Sequence, residues 1–234
     1  MTGRLYGLGV GPGDPELVTL KAVRLLRAAA VVAYPAPDDG ASFARSVVAS
    51  LLSPAQTEIA IRVPMTPAVA PAQAVYERAA AEIAGHLDAD RDVAVLCQGD
   101  PFFYGSFIQI FARLAARYPT LVVPGVSSLA ACAAAAGLPL AVRDDVLTVI
   151  PAPLAEKELE ARLAQAEAAA VIKLGRHFAK VHRVLTRLGR AAGTIYVERA
   201  SLESQRVLPL SEVDASAVPY FSLLLVRRPD PAAP

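Results

Sequence analysis

Apolar and polar positions follow two different periods along this chain. Short, nearly continuous apolar runs at residues 4–10, 31–34, 57–61, 92–97 and 121–123 predict buried strands. Between them lie longer stretches with apolar residues three and four apart, at 17–28, 42–52, 72–87, 107–116 and 128–136, which predict amphipathic helices. Strands alternating with helices predict a parallel-rich α/β sheet. The pattern breaks over 137–145, where Leu138-Pro139 stops a helix and Asp144-Asp145 precedes a new apolar run. After the break come a strand at 146–150, a helix at 156–166, a strand at 169–174, a helix at 178–188, and strands at 194–199, 205–209 and 221–227. The last three strands succeed one another without helices, so a mixed sheet with antiparallel pairs is expected. The division that follows is an N-terminal α/β domain at 1–137, a linker at 138–145, a C-terminal α/β domain at 146–228 and a disordered tail at 229–234.

Composition narrows the function classes. The chain has 234 residues, 54% hydrophobic and 19% charged, enough apolar length for a large buried core. Its 23 basic and 22 acidic residues are scattered, with no basic block of the kind that nucleic-acid binding requires. Charges interrupt every long apolar segment, and the start of the chain enters a strand and a glycine-rich turn, not a signal peptide. A cytoplasmic protein with no membrane or nucleic-acid partner is expected. Cys97 and Cys132 make neither a disulfide framework nor a Cys-x-x-Cys motif, and His86, His177 and His182 lack zinc-site spacing, so no metal is expected.

Three loops at predicted strand ends carry candidate chemistry. The first is Gly7-Leu8-Gly9-Val10-Gly11-Pro12-Gly13-Asp14-Pro15-Glu16. Its glycines permit close approach of a ligand to backbone, while Asp14 and Pro15 equally suit a capped strand-to-helix turn. A nicotinamide-dependent oxidoreductase is the rival from another enzyme class, but the G-x-G-x-x-G spacing places Pro12 or Asp14 where the third glycine belongs. Strand two ends in Tyr34-Pro35 instead of an acidic residue for a ribose hydroxyl. The second loop, Gln98-Gly99-Asp100-Pro101-Phe102-Phe103-Tyr104-Gly105-Ser106, offers a carboxylate and three ring faces; helix initiation and core packing would use the same residues. The third, Val123-Pro124-Gly125-Val126-Ser127-Ser128, opens a helix with two hydroxyls nearby.

In this order the loops resemble the tetrapyrrole methylase family: G-x-G-P-G-D-P with Leu17 to Lys21 as L-V-T-L-K, then G-D-P-F-F-Y-G, then V-P-G-V-S-S. Further segments, Pro139-Leu140-Ala141-Val142-Arg143-Asp144-Asp145, Lys173-Leu174-Gly175-Arg176, Tyr196-Val197-Glu198-Arg199-Ala200 and Val218-Pro219-Tyr220-Phe221-Ser222, are similar to the branch that methylates carbon 20 of precorrin-2 on the way to cobalamin. A branch acting on the cobalt-loaded substrate, cobalt-factor II, is the alternative within the family. A carrier that binds tetrapyrrole without a methyl donor is a third.

The resemblance implies a two-domain homodimer with the active site in the cleft between domains. It also implies S-adenosyl-L-methionine as methyl donor, S-adenosyl-L-homocysteine as product, a small-molecule tetrapyrrole as substrate and no metal. Carried over by position, cofactor contacts are expected from Pro12, Gln98, Gly99, Asp100, Phe103, Ser127, Ser128, Leu174 and Ala200. Asp100 is expected at the amino-acid or ribose end, because the sulfonium loses charge as it reacts and an anion on sulfur would favour the ground state. The many carboxylates of such a substrate require locally focused cations in a nearly neutral protein; Arg45, Arg143 and Arg176 are the candidates, with Tyr104 as a further substrate contact. In related uroporphyrinogen methylases an aspartate follows the strand-two tyrosine and is a candidate base. Here Pro35 takes that place, and no other residue is identified as the catalytic base.

Overall fold

The computed structural model describes residues 2–64 and 69–227, and the chain divides into two compact units, Met1–Ser127 and Ser128–Pro234. The tail expected at 229–234 lies outside the described residues.

The first unit is a five-stranded sheet in the order β3-β2-β4-β1-β5, formed by β1 (Leu5–Gly9), β2 (Val31–Pro37), β3 (Thr57–Val63), β4 (Val93–Cys97) and β5 (Thr120–Val123). Every pairing is parallel. A parallel sheet is covered on both faces, which is why β1 and β4 are buried at every residue and read as continuous apolar runs. On one face α3 (Val69–Asp88) and α4 (Phe107–Leu114) pack Ile83, Leu87, Phe107 and Ile110 against Leu5, Val93 and Val95. On the other, α1 (Leu20–Ala28) and α2 (Phe43–Val47) pack Leu25, Leu26 and Val47 against Leu8, Val32 and Leu96. Full burial of each such side chain stabilises the fold by about 1.5–3 kcal/mol.

Two expected helices are shorter in the structure. The stretch 17–28 begins with a 3-10 turn, Pro15–Leu17, capped by Asp14, whose carboxylate accepts from the Glu16 amide at 2.8 Å. The α-helix starts only after Thr19, whose hydroxyl accepts from the Ala22 amide at 3.2 Å. The stretch 42–52 is α2 followed by a second 3-10 turn, Ala49–Leu51.

The second unit is a sheet in the order β6-β7-β10-β8-β9, from β6 (Leu147–Pro151), β7 (Ala168–Ile172), β8 (Thr194–Glu198), β9 (Arg206–Pro209) and β10 (Ser222–Arg227). Only β6 and β7 pair in parallel; β10 runs antiparallel to both β7 and β8, and β9 antiparallel to β8. The expected mixed sheet is therefore present, and β6, β7 and β8 all point the same way. On one face lie α6 (Glu156–Gln165) and α7 (Phe178–Arg187), whose Phe178, Val181, Val184 and Leu185 sit three, six and seven positions along one helix stripe and are buried.

The other face is covered by α5 (Ser128–Ala136). Its Leu129, Ala131 and Cys132 are buried with Ala170, Ile172, Val197 and Leu223. The division of the chain consequently falls between Ser127 and Ser128, ahead of the break expected at 138. Alanine periodicity marks a helix but not which sheet it covers.

Candidate functional site

Because the five strands of the first sheet are parallel, the loops after β1, β4 and β5 leave from one edge. They are joined there by main chain. Gly11 and Gly99 form an isolated antiparallel bridge, in which the Gly99 amide donates to the Gly11 carbonyl at 2.8 Å. Gly99 has φ +66, a conformation that strongly favours glycine. A Cβ on Gly125 would lie 2.0 Å from the Gly99 carbonyl oxygen, and one on Gly9 would lie 2.5 Å from the Gly125 amide nitrogen. Only glycine allows three backbones to approach so closely.

Asp100 ties the same loops. One carboxylate oxygen accepts from the Phe102 amide at 2.9 Å and the other from the Gly125 amide at 3.1 Å. Its carboxylate therefore shapes the rim, with lone pairs on each oxygen remaining for a ligand. Beyond it Phe102, Phe103 and Tyr104 stand half exposed, Phe103 edge-on to Tyr104 with centroids 5.1 Å apart. Tyr104 has φ +57, unfavourable for a bulky residue by roughly 1 kcal/mol or more. The exposed large hydrophobic residues among those described in this unit are Leu20, Phe102, Phe103, Tyr104 and Ile108, all in or beside the loops after β1 and β4. Pro12 and Gly99 are buried, Gln98 and Ser127 partly buried.

Arg45 is engaged elsewhere. Its fork closes on Glu58, the second residue of β3, with N···O distances of 2.6 and 2.9 Å. The Arg45 guanidinium holds the Glu58 carboxyl below its usual range, and the same pair stands beside the Tyr34 phenol, whose pKa is raised chiefly by burial.

In the second unit, Leu174 and Ala200 follow the ends of β7 and β8. The Leu174 side chain is fully buried in the α6–α7 core and Ala200 is nearly so, which leaves main chain as their means of contact with a ligand. Arg176 is exposed on the turn after β7, its Nε directed at the neighbouring His177 ring at 3.5 Å. Burial, with Lys180 and Arg176 adding repulsion, pushes the His177 imidazole below its ordinary pKa. Ser128 is exposed at the start of α5.

Arg143 lies at the opposite end of this sheet from Arg176. It precedes Asp145, whose carboxylate pairs with Arg227 at 3.2 Å where β10 finishes and β6 and β7 begin. The structure thus separates two of the arginines named as substrate candidates from their loop and helix-start positions.

Two residues that the chain pattern had placed inside strands turn out to be the turns themselves. Lys173 (φ +57) ends β7 and Arg199 (φ +50) ends β8. Glu198, just before, is buried and accepts from the Tyr196 hydroxyl at 2.5 Å, with Arg206 3.6 Å away. Left-handed lysine and arginine leave no mark on apolar periodicity. The only available signal was their place in the K-L-G-R and E-R-A segments.

The site defines a class before it defines a family: a doubly wound parallel unit with a glycine-built, aromatic-flanked loop rim, in one chain with a mixed α/β unit. The sequence model of the Tetrapyrrole (Corrin/Porphyrin) Methylases matches residues 4–214, and the chain belongs to that family. It is 44% identical to the precorrin-2 C(20)-methyltransferase of a Sinorhizobium species, covering 96% of this chain and 95% of that protein. It is also 44% identical to the cobalamin biosynthesis protein CobIJ of Mycobacterium tuberculosis, over 96% of this chain but 46% of that protein, so it spans about half the length of this relative. Among solved structures, the uroporphyrin-III C-methyl transferase of Thermus thermophilus complexed with S-adenosyl homocysteine is 30% identical with a TM-score of 0.68, covering 96% of this chain and 97% of that one.

Proposed function

We propose that the chain transfers a methyl group from S-adenosyl-L-methionine to carbon 20 of metal-free precorrin-2, giving precorrin-3A in cobalamin biosynthesis, as a cytoplasmic homodimer without a metal. Among the described residues no helix is long and apolar enough to cross a membrane. The observation that carries the proposal is the rim of three loops joined through Gly9, Gly99 and Gly125, in a chain 44% identical to a Sinorhizobium protein named for this reaction.

The residues present suit the donor. Close-packed main chain at Pro12, Gln98 and Gly99, with the half-exposed ring of Phe103 beside it, suits a ligand that is part nucleoside and part amino acid. Ser127, Ser128 and the main chain at Leu174 and Ala200 complete the set. Asp100 acts first as a positioning residue, since both of its oxygens hold loop amides, and serves the polar end of the ligand with its remaining lone pairs. S-adenosylmethionine, when bound, supplies a methyl already activated by the sulfonium. What remains for the protein is alignment and exclusion of water, and alignment alone lowers such barriers by up to ~7–11 kcal/mol.

Of the cations expected to hold the substrate, Arg176 and Arg143 remain assigned to that role at opposite ends of the second sheet, and Tyr104 offers it a ring face. Arg45 serves the fold through Glu58. A substrate panel tests the proposal: anaerobic incubation with labelled methyl donor and either precorrin-2 or cobalt-factor II. Transfer to the metal-free compound is expected. Transfer confined to the cobalt form would assign the alternative substrate, and transfer to neither would overturn the proposal.

A further inference from the structure

Tyr196 and Glu198 lie two positions apart in β8, so both side chains leave the same face of the second sheet. That face is the one covered by α6 and α7: the Tyr196 ring is 1% exposed and meets Phe178 edge-on, with centroids 6.2 Å apart. A buried phenol needs an acceptor, and Glu198 Oε2 supplies it at 2.5 Å. Burial first, and then this bond, push the Tyr196 phenol above its ordinary pKa, so it stays a donor. Glu198 is itself 3% exposed. Its cross-strand neighbours are Arg206 on β9, whose Nη1 stands 3.6 Å from Oε1, and Ser222 on β10, whose hydroxyl donates to the Pro219 carbonyl at 2.6 Å. One buried carboxylate thus sits where β8 ends and β9 and β10 begin.

Burying a carboxylate is unfavourable unless it is hydrogen-bonded and paired, and an apolar residue of similar volume would fill the core without that cost. What the carboxylate adds is a fixed geometry at the end of β8. The turn that follows requires one. Arg199 (φ +50) and Ser201 (φ +71) are both left-handed, with Ala200 between them. Two residues with side chains in that region within three positions need restraint from their surroundings. The Arg199 amide donates to the Phe221 carbonyl at 2.8 Å, the Ser201 amide to Gln205 Oε1 at 2.8 Å and the Leu202 amide to the Arg199 carbonyl at 3.0 Å. Ala200 is skipped. Among the described residues its amide and carbonyl make no main-chain hydrogen bond, although it is only 6% exposed. Nearly buried main chain that the fold leaves unbonded is where the polar edge of a ligand is expected.

We propose that Glu198 is a positioning residue for the methyl donor: held by Tyr196 and Arg206, it fixes the end of β8 so that the turn through Arg199 and Ser201 presents the main chain of Ala200 to the ligand. The assignment rests on the function proposed above, in which Ala200 is a donor contact, and adds the side chain that holds that contact in place. The Glu198 oxygens face Tyr196 and Arg206, so the residue acts through the turn and not on the donor itself.

The test uses the full chain and the variants Glu198→Leu, Glu198→Gln and Tyr196→Phe. S-adenosylhomocysteine is titrated by calorimetry and uroporphyrin III, a stable tetrapyrrole, by fluorescence quenching; thermal melts and steady-state kinetics with precorrin-2 accompany them. In Glu198→Leu, S-adenosylhomocysteine affinity is expected to fall about tenfold or more, because a small displacement of a contact is costly. KM for S-adenosylmethionine should rise in step, while porphyrin affinity and the KM for precorrin-2 stay within about twofold of wild type. Glu198→Gln still accepts from the Tyr196 hydroxyl and should restore donor affinity to within about threefold. Tyr196→Phe keeps the buried ring and loses the bond, so its donor affinity should fall by about three- to tenfold. Unchanged S-adenosylhomocysteine affinity in Tyr196→Phe would overturn the inference, whether or not Glu198→Leu folds. A glutamine variant as weak as the leucine variant would assign the charge in place of the held turn, and equal losses of donor and porphyrin affinity with a lowered Tm would make Glu198 a residue of the fold alone; each also overturns it. Wild-type protein that binds no S-adenosylhomocysteine would sink the underlying function, a result distinct from a wild type that binds it and variants that bind it equally well.

Discussion

In the first unit, the loops after β1, β4 and β5 are held by main chain against main chain, with Gly9, Gly99 and Gly125 in mutual contact and one carboxylate, Asp100, spanning two of them. In the second, the turns after β7 and β8 are shaped by single long side chains in left-handed backbone and stand apart, separated by β10. The difference follows from topology. Parallel neighbours bring successive strand ends together, so backbone can close on backbone; an antiparallel strand inserted between two parallel ones keeps their ends about 10 Å apart, and the turns after them do not close on one another. A main-chain rim should be intolerant of added atoms. Turns that stand apart should tolerate them better.

The largest effect expected from breaking this contrast is at Gly125. In Gly125→Ala the new Cβ meets backbone of Gly99 that has no rotamer to escape into, so stability should fall by about 3 kcal/mol or more. Urea unfolding with an unchanged slope and a lower midpoint is the expected observation. Asp100→Ala comes next. It leaves the Phe102 and Gly125 amides without their acceptor and should destabilise by roughly 1–3 kcal/mol while weakening S-adenosylhomocysteine binding, read by the same unfolding curve and by calorimetry.

A smaller, pH-dependent effect should appear at Arg45, away from the loop rim of the first unit. Glu58 is held below its usual pKa in the folded state, first by the hydrogen bond from Arg45, so its contribution is full above the ordinary glutamate pKa and is lost as pH falls through the folded value. The two side chains are 40% and 32% exposed, which limits the pair to under about 1 kcal/mol. Arg45→Met should accordingly lower Tm at pH 7 and lose that difference as the pH is taken toward 3, with KM for the tetrapyrrole unaffected. A changed KM would return Arg45 to the substrate. The smallest effect, of opposite sign, belongs to Gly85, within α3, where an added Cβ would meet nothing within 4 Å: Gly85→Ala should raise stability by about 0.5–1 kcal/mol. Equal responses at Gly85 and Gly125 would dissolve the distinction between open and close-packed glycine.

What the sequence made legible tracks the same contrast. The parallel strands and their loops were readable because the residues that meet, such as Gly9 and Gly99, lie in contiguous motifs with strong turn chemistry. The mixed sheet was readable from three successive strands without helices. The attachment of α5 was not, since Leu129 and Cys132 give the same periodicity whichever sheet they cover. Nor were the ends of β7 and β8 readable, because Lys173 and Arg199 continue runs that look like strands until their φ angles turn positive. Arg143 and Arg176 were named for their positions at loops and helix starts; that they stand at opposite ends of the second sheet became visible only through strand register and the Asp145 pairing.

The most direct test of the account is to locate the transferred methyl group. Precorrin-2 is incubated anaerobically with the purified chain and S-adenosylmethionine carrying carbon-13 in the methyl, and the product is read by carbon NMR. One labelled methyl resonance assigned to carbon 20, with one equivalent of S-adenosylhomocysteine formed, is the result expected. Label at any other carbon, or donor turnover without label on the tetrapyrrole, would contradict it.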